Sequence, residues 1–253
     1  MAEQWKRRRQ ILALLNESQH FVSGEELAKQ LGVTRATISN HIDALEQAGV
    51  GIYSVKGKGY KLEKPVLLID DTRLINRIPN RCFYFDEIDS TNSFILKHGD
   101  ELASGDVCIA EYQSAGRGRR GRTWISPYAS HLYCSLYWNF PKGMAQVMGL
   151  SLVVGCSLAT VLDNMGLTDV AVKWPNDVYL QNRKLAGILV EMSGQADGEC
   201  QVVIGTGVNL SMPASQAELI DQPWSEVFQQ QCDIDKTEFA IQFHQQLVKD
   251  LSL

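Results

Sequence analysis

The stretch Gly116-Arg117-Gly118-Arg119-Arg120-Gly121-Arg122 places four guanidinium groups and three glycines within seven residues. Because like charges repel and glycine increases the entropy lost on ordering, such a segment adds little to a packed core. Arginine offers forked donors to phosphate or carboxylate oxygens. The run follows an apolar, strand-like segment at 107–110, inside the chain rather than at its end. We therefore predict that residues 116–122, the Arg/Gly loop, stay mobile until they order over an anionic ligand. The alternatives are a solvated basic loop and an Arg/Gly segment that binds nucleic acid.

The composition is that of a globular protein with a substantial core. A length of 253 residues favours two domains, and 45% apolar residues is an ordinary proportion. Six cysteines lack C-x-x-C spacing, and most stand in apolar runs, which predicts buried reduced thiols rather than disulfides or a zinc site. The N-terminus has no signal-peptide pattern, and no segment is long and apolar enough to span a membrane. A cytoplasmic protein without a membrane partner is therefore expected.

The charge is unevenly distributed along the chain. Residues 1–64 contain ten basic and seven acidic residues, a net charge of +3, whereas the remainder carries −8. A small basic module attached to an acidic body is typical of a nucleic-acid-binding unit fused to another domain.

The first sixty residues have the pattern of a winged helix-turn-helix. Helices are predicted over residues 4–15, 23–32 and 34–49, with Ser23 and Glu26 as a capping box and glycines at the ends of the second and third helices. A hairpin with the basic tip 56–59 follows and serves as the wing. A three-helix protein-interaction module is the alternative. The residues predicted to contact DNA are Ser23, Thr34, Arg35, Thr37, Ser39, Asn40, His41, Lys56 and Lys58.

The remainder of the chain mixes strands and helices without strict alternation. This pattern favours an α+β domain with a mixed sheet and helices on one face over a doubly wound parallel sheet. Neither a P-loop nor a well-placed Rossmann fingerprint occurs. The predicted strands are 81–85, 107–112, 131–137, 170–173, 186–192 and 201–208, and the predicted helices are 90–98, 144–164 and 236–251.

Four local signals in this domain carry chemistry. They are Asp89–Asn92 at the start of a helix, Gln113 with the Arg/Gly run, Lys173–Asp177 after a strand, and Arg183–Glu191. Each also has a plainer interpretation. Ser90 or Thr91 can be only a helix cap, Asn176 and Asp177 only turn formers, and Lys184 only a solvated strand residue. Gly187 would let another group approach its strand closely.

Together with Gly205–Asn209, and behind a winged helix, these motifs resemble those of the biotin protein ligases that double as repressors of the biotin operon. The resemblance implies a winged helix-turn-helix domain over 1–64 and a biotin/lipoate ligase catalytic domain, similar to class II synthetases, over 66–253. Related members continue into a small SH3-like domain. This chain stops at Leu253, so we expect that domain to be absent here.

The resemblance also implies an activity. Family members use ATP and Mg²⁺ to convert biotin to biotinyl-5′-adenylate, and then transfer biotin to a lysine of the biotin carboxyl carrier protein of acetyl-CoA carboxylase. The adenylate is also the corepressor, which promotes a homodimer that binds operator DNA.

Site residues are carried over position by position. The implied catalytic residues are Lys184, Arg119 and Asp177. The implied biotin-binding residues are Ser90, Thr91, Asn92, Gln113, Gly116, Arg117, Gly118, Arg119 and Lys184. The implied nucleotide-binding residues are Arg122, Trp124, Asn176, Asn209 and Trp224. No metal site made by protein alone is expected, because Mg²⁺ arrives with the nucleotide, with Asp177 as its candidate contact.

Three other functions remain open from the sequence. One is a DNA-binding biotin sensor whose turnover is impaired without the C-terminal domain. Another is a related lipoate or octanoyl ligase, which the complete Arg/Gly loop and the winged helix disfavour. The third is a winged-helix regulator with an unspecified effector domain.

Overall fold

A computed structural model describes residues 2–141, 147–194, 199–230 and 233–253 of the chain. The helices are α1 (Ala2–Glu17), α2 (Gly24–Leu31), α3 (Arg35–Gln47), α4 (Asp71–Arg77), α5 (Thr91–His98), α6 (Leu150–Asn164), α7 (Ala214–Ala217) and α8 (Lys236–Leu251). The strands are β1 (Ile52–Val55), β2 (Gly59–Leu62), β3 (Cys82–Phe85), β4 (Val107–Ala110), β5 (His131–Phe140), β6 (Val170–Lys173), β7 (Asp177–Leu180), β8 (Arg183–Gly194) and β9 (Cys200–Asn209).

The N-terminal elements form the predicted winged helix-turn-helix. The Ser23 hydroxyl accepts the Glu26 amide at 3.1 Å and caps α2, while Thr34 caps α3 by accepting the Thr37 amide. Gly32 ends α2 with a φ of +64°, a conformation that glycine adopts without strain. The strands β1 and β2 pair in antiparallel fashion and project the wing.

A seven-stranded mixed sheet organises the rest of the chain, in the order β3-β4-β5-β9-β8-β7-β6. The β3–β4 pair is parallel, and the other neighbours are antiparallel. The longest pairings join β5 to β9 and β9 to β8, so these three strands form the central platform. Along them, side chains alternate between the two faces of the sheet.

Helices cover both faces of this sheet, which corrects the expectation of helices on one face. Leu136 and Ile204 pack with residues of α6 and α8 in the main core. Their neighbours Tyr137 and Val203 point the other way and pack with Ile95 of α5. The short α5 covers only part of its face, and the adjoining part of that face contains the candidate site.

Three elements were missed in the sequence, β7, α4 and the four-residue α7, and one helix is shorter than expected. The strand β7 and the helix α4 have only 4 and 7 residues, too few for a clear apolar period. The helix α6 begins at Leu150, whereas the sequence indicated a start at 144, a position outside the described residues.

The cysteine prediction is confirmed in part. Cys108, Cys134 and Cys200 are buried and free, Cys82 is half-buried, and Cys156 is exposed, contrary to the general expectation. Cys232 lies outside the described residues. No helix within the described ranges combines the length and apolar character needed to cross a bilayer.

The winged helix contacts the domain that contains the seven-stranded sheet through α1 and the end of α3. The Trp5 ring stacks on Tyr128 with centroids 4.4 Å apart, and the Trp5 indole donates to Glu87 at 2.9 Å. Arg9 forms an ion pair with Asp86 at 3.2 Å. The Tyr128 amide donates to the carbonyl of Ala48, just after α3. One apolar cluster therefore includes the winged-helix core together with Tyr128 and Ala129.

A buried ion pair supports this contact from the side of the seven-stranded sheet. Glu111, directly after β4, pairs with Lys236 at 2.5 Å, and both side chains are almost fully buried. Burial lowers the pKa of Lys236, and the Glu111 carboxylate opposes that shift. Arg9 lies 3.7 Å from the same carboxylate. The start of α8, the end of β4 and the first helix of the winged domain therefore meet at one acidic residue.

Candidate active site

One cavity of about 520 Å³ lies on the sheet face that α5 leaves open. It brings together residues from all four sequence signals: the α5 N-terminus, the Arg/Gly loop, the turn before β7, and β8. The sequence-predicted residues that line it are Ser90, Thr91, Asn92, Gln113, Arg117, Gly118, Arg119, Arg122, Trp124, Asn176, Asp177 and Lys184.

The α5 end of the cavity is a connected hydrogen-bond network. Ser90 caps α5 by accepting a hydrogen bond from the Ser93 amide, so the helix-cap interpretation of Ser90 is confirmed. Ser90 also lines the cavity. The Gln113 amide oxygen accepts the Thr91 backbone amide at 2.9 Å and the Thr91 hydroxyl at 3.1 Å. Buried Ser135 on β5 bonds to both Thr91 and Asn92. These groups are held rigidly, as recognition of a small polar ring requires.

The Arg/Gly loop lies over the cavity with two side-chain anchors. The Arg119 guanidinium donates to the Asn176 amide oxygen at 2.7 Å, and Arg117 pairs with Glu191 at 2.9 Å. The Gly118 amide donates to the Arg122 carbonyl at 2.7 Å, which closes a tight turn. The predicted ordering of this loop on a ligand remains a prediction.

The Trp124 indole forms one wall of the cavity and lies directly on the sheet. A Cβ at Gly207 would stand 2.6 Å from Trp124, and one at Gly187 would stand 2.8 Å from it. The sequence indicated close approach at Gly187, and the approaching group is this indole. Trp124 Nε1 is buried and has no hydrogen-bond partner among the described residues, which leaves a donor for a ligand.

The charged pair Lys184 and Asp177 lies beside the Trp124 indole and also lines the cavity. Lys184 Nζ lies 3.0 Å from Asp177 Oδ1 and 5.6 Å from the centre of a Trp124 ring. The turn between β6 and β7 includes a cis peptide bond before Pro175. The Asn176 side chain donates to the Ile188 carbonyl and thereby fixes this turn to β8. An ammonium, a carboxylate and several guanidinium groups therefore face one space, and this set can bind and polarise phosphate and carboxylate groups.

Three predicted site residues do not line this cavity. A Cβ on Gly116 would stand 2.5 Å from the Ser126 hydroxyl, and this glycine lies behind the loop. Asn209 is buried and its amide donates to the Ser225 carbonyl. Trp224 is half-buried and forms a backbone bridge with Lys184. Their roles in ligand binding remain predictions.

Several cavity residues were missed in the sequence. Tyr133 on β5 lines the cavity and donates its hydroxyl to the Pro127 carbonyl at 2.8 Å, and burial raises the pKa of this phenol well above its ordinary value. Leu189 contributes an apolar wall from β8. Ser126 does not line the cavity, but it accepts a hydrogen bond from Gln113, which does. The period-two pattern of β5 and β8 indicates which residues share a face, but only the sheet order shows that this face adjoins the Arg/Gly loop.

The predicted DNA-contacting residues lie on α3, its flanks and the wing. Ser23, Arg35, Lys56 and Lys58 line one groove of about 310 Å³ between the helices and the wing. Arg35 is 72% exposed, and its nearest acidic neighbour is Glu25 at 3.7 Å. Ser23 and Thr34 also cap helices. Thr37, Ser39, Asn40 and His41 continue along α3, where burial and the nearby Arg8 and Arg7 lower the pKa of His41.

Within the described ranges, no three His, Cys, Asp or Glu side chains group together in a way that would hold an ion. In the cavity, Asp177 contributes one carboxylate beside the Asn176 amide. This donor set fits Mg²⁺, which usually takes one or two carboxylates and receives its other ligands from water and phosphate.

Comparison with known proteins agrees with this arrangement. The model of the biotin/lipoate A/B protein ligase family matches residues 84–209, and an HTH domain model matches residues 7–61. The bifunctional ligase/repressor BirA of Escherichia coli strain K12 is 43% identical over 96% of this chain and 76% of that protein. Its counterpart in Salmonella typhimurium is 46% identical over 85% of this chain and 67% of that protein.

A solved structure shows the same fold. The biotin protein ligase from Aquifex aeolicus in complex with biotin and ATP matches with a TM-score of 0.56 and 27% identity, over 68% of this chain and 70% of that one. The chain therefore belongs to the biotin/lipoate A/B protein ligase family and, within it, to the bifunctional ligase/repressors.

Proposed function

We propose that the chain joins biotin to ATP, giving biotinyl-5′-adenylate and pyrophosphate, and then transfers the biotinyl group to one lysine of a biotin carboxyl carrier protein. The observation that carries the proposal is the meeting of all four chemistry-bearing segments around one cavity. The identity of 43% to a bifunctional ligase/repressor supports the same reaction.

Biotin binds with its ring at the α5 end of the cavity. Thr91, Asn92 and Gln113 present fixed donors and acceptors there, and Leu189 and Tyr133 supply apolar walls. The arrangement suits a ureido ring, which needs polar partners in an otherwise apolar slot. The biotin carboxylate then extends toward Lys184.

The first step forms a carboxylate–phosphate bond. A carboxylate oxygen of biotin attacks the α-phosphorus of ATP, and the bond from that phosphorus to the β-bridging oxygen breaks, so that pyrophosphate leaves. Negative charge builds on the phosphate oxygens, and Lys184 and Arg119 stabilise it. Trp124, Asn176 and Arg122 border the nucleotide.

Asp177 and Asn176 would hold the Mg²⁺ that arrives with the triphosphate. When bound, Mg²⁺ supplies positive charge to the phosphate oxygens. Lys184 has three N–H donors, so it can keep its contact with Asp177 while it binds the carboxylate of biotin.

The second step transfers the acyl group. A lysine amine of the carrier attacks the acyl carbon of the adenylate, and the bond from that carbon to the phosphate oxygen breaks, so that AMP leaves. The amine must first lose a proton, and the Asp177 carboxylate accepts or orients it. The Arg/Gly loop excludes water from the labile adenylate until the carrier arrives.

The winged helix gives the adenylate its second role. Bound adenylate promotes a homodimer, and the dimer presents two winged helices to a palindromic operator of the biotin biosynthetic operon. The exposed Arg35, Lys56 and Lys58 supply positive charge for phosphate contacts.

A pyrophosphate-release assay tests the ligase reaction. We expect release that depends on biotin, a single stoichiometric burst without carrier, and continued turnover with a biotin carboxyl carrier protein. Lipoate in place of biotin is expected to give no burst. A chain that binds biotin but releases no pyrophosphate would instead be a biotin sensor, and a burst with lipoate alone would identify a lipoate ligase.

A further inference from the structure

The carboxylate of Glu191 connects two walls of the candidate site. Glu191 lies on β8, two residues beyond Leu189 and on the same face of the strand. Its Oε2 atom accepts a hydrogen bond from Asn92 Nδ2 at 2.8 Å and one from Arg117 Nη2 at 2.9 Å. One oxygen atom therefore joins the start of α5 to the Arg/Gly loop.

The contact with Asn92 fixes the orientation of a cavity amide. An ionised carboxylate only accepts hydrogen bonds, so Asn92 must direct its NH₂ group at Glu191. The other end of the amide, Oδ1, then lies 2.5 Å from the Ser135 hydroxyl. A Cβ at Gly205 would stand 2.1 Å from that oxygen, so the glycine leaves room for this orientation. The same NH₂ group also donates to the Leu189 carbonyl at 3.3 Å, so the carboxylate is the nearer of its two acceptors, and its loss would leave the amide less firmly held.

The contact with Arg117 holds one side of the loop. Arg119, bonded to Asn176, holds the other side at 2.7 Å. The Glu191 and Arg117 side chains are 25% and 43% exposed, so water screens the pair only partly. The pair is also charge-assisted, which strengthens the hydrogen bond.

We propose that Glu191 is a positioning residue that couples closure of the Arg/Gly loop to the orientation of Asn92. The carboxylate touches Asn92 and Arg117 and leaves the attack on phosphorus to other groups. Its effect is to retain biotin and biotinyl-5′-adenylate, rather than to accelerate adenylate formation. This inference rests on the proposed ligase function.

The test uses Glu191→Gln, Arg117→Gln and the double variant in the full chain. The measurements are the dissociation rate of preformed biotinyl-5′-adenylate, the KM for biotin and the kcat of biotin-dependent pyrophosphate exchange.

We expect each single variant to accelerate adenylate dissociation about tenfold, a change equivalent to about 1.4 kcal/mol. For Glu191→Gln, the exchange kcat should remain within about threefold of the wild type, because this carboxylate does not act on the reacting atoms. The double variant should dissociate no faster than the worse single variant, because both substitutions remove one interaction.

Glu199→Gln is the matched control. Glu199 loses the same charge but bonds to Asn139 at 3.1 Å, away from the cavity, and its variant should match the wild type in all three measurements. Arg117→Gln breaks the same ion pair from a partly exposed loop residue. It therefore still tests the coupling if Glu191→Gln fails to fold.

Unchanged adenylate dissociation and biotin KM in Glu191→Gln would overturn the inference, as would additive effects in the double variant. An equal fall of the exchange kcat and of kcat/KM for biotin in Glu191→Gln, with KM unchanged, would also overturn it, because that pattern belongs to a group acting on the reacting atoms. Calorimetric titration with biotin alone separates the proposed ligase function from the proposed positioning role of Glu191. If the wild type binds biotin but forms no adenylate, the ligase function fails, and weaker biotin binding by Glu191→Gln still supports the positioning role.

Discussion

At the scale of single residues, glycines create the space that the site requires. Gly187 and Gly207 lie on adjacent strands and are paired with each other, and the Trp124 indole rests on both. The sequence predicted a close approach at Gly187 and a role for Trp124 near the nucleotide, but it could not connect the two. The connection depends on the pairing of β8 with β9, which no local pattern reveals.

Replacement of Gly207 by alanine should displace this indole. The new Cβ would stand 2.6 Å from two Trp124 ring atoms, and overpacking of this kind costs about 1–3 kcal/mol. We expect the KM for ATP to rise at least about fivefold, since 1 kcal/mol corresponds to roughly that factor. The measurement is pyrophosphate exchange as a function of ATP concentration.

Gly99→Ala is the control for this substitution. Its Cβ would meet the Gln201 side-chain oxygen at 3.2 Å, and a flexible side chain can yield. If Gly207→Ala and Gly99→Ala have the same KM for ATP as the wild type, Trp124 does not form the nucleotide wall.

At the scale of elements, periodicity and capping predicted most of the fold. The capping box at Ser23, the glycine after α2 and the strands β5 and β9 all appear where the sequence places them. The misses have physical causes. The helix α4 is too short to complete two turns of an apolar stripe, and β7 is a four-residue strand that depends on its neighbours for stability.

The first helix also has a role that its sequence pattern did not indicate. The Trp5 side chain is 4% exposed and stacks on Tyr128, which directly follows the segment containing the Arg/Gly loop and Trp124. Trp5 belongs to the apolar cluster that forms the core of the winged helix. The structure shows that it also joins the two domains.

Trp5→Ala should loosen the winged helix from the catalytic domain. Truncation of a buried tryptophan costs about 3–5 kcal/mol. We expect calorimetric unfolding to separate into two transitions, with the winged helix melting first, and the linker 63–70 to become sensitive to protease.

Trp174→Ala is the comparison for this experiment, because the Trp174 side chain is 75% exposed. Its stability should stay within about 0.5 kcal/mol of the wild type. A single unfolding transition at the wild-type temperature in Trp5→Ala would show that α1 does not hold the domains together.

At the scale of the whole molecule, the sequence predicted two domains but not their contact. Charge asymmetry and the motif order separated a basic DNA-binding unit from a ligase unit. The contact depends on residues far apart in the chain, such as Arg9 with Asp86 and Ala48 with Tyr128, and single-chain patterns do not reveal such pairs. The structure places Tyr128 between α1 and the cavity segment, so a change in the Arg/Gly loop has a short physical route to the winged helix.

The central claim is that adenylate made in this cavity controls DNA binding by the same chain. The most direct test measures operator affinity by electrophoretic mobility shift, with the promoter region of the biotin biosynthetic operon from the organism that encodes this chain. We predict that biotin with ATP raises operator affinity about tenfold or more, within the usual range of allosteric coupling of about 1–3 kcal/mol. Biotin with an α,β-methylene analogue of ATP, which cannot form the adenylate, should leave the affinity unchanged. Equal operator affinity with and without biotin plus ATP would contradict the account.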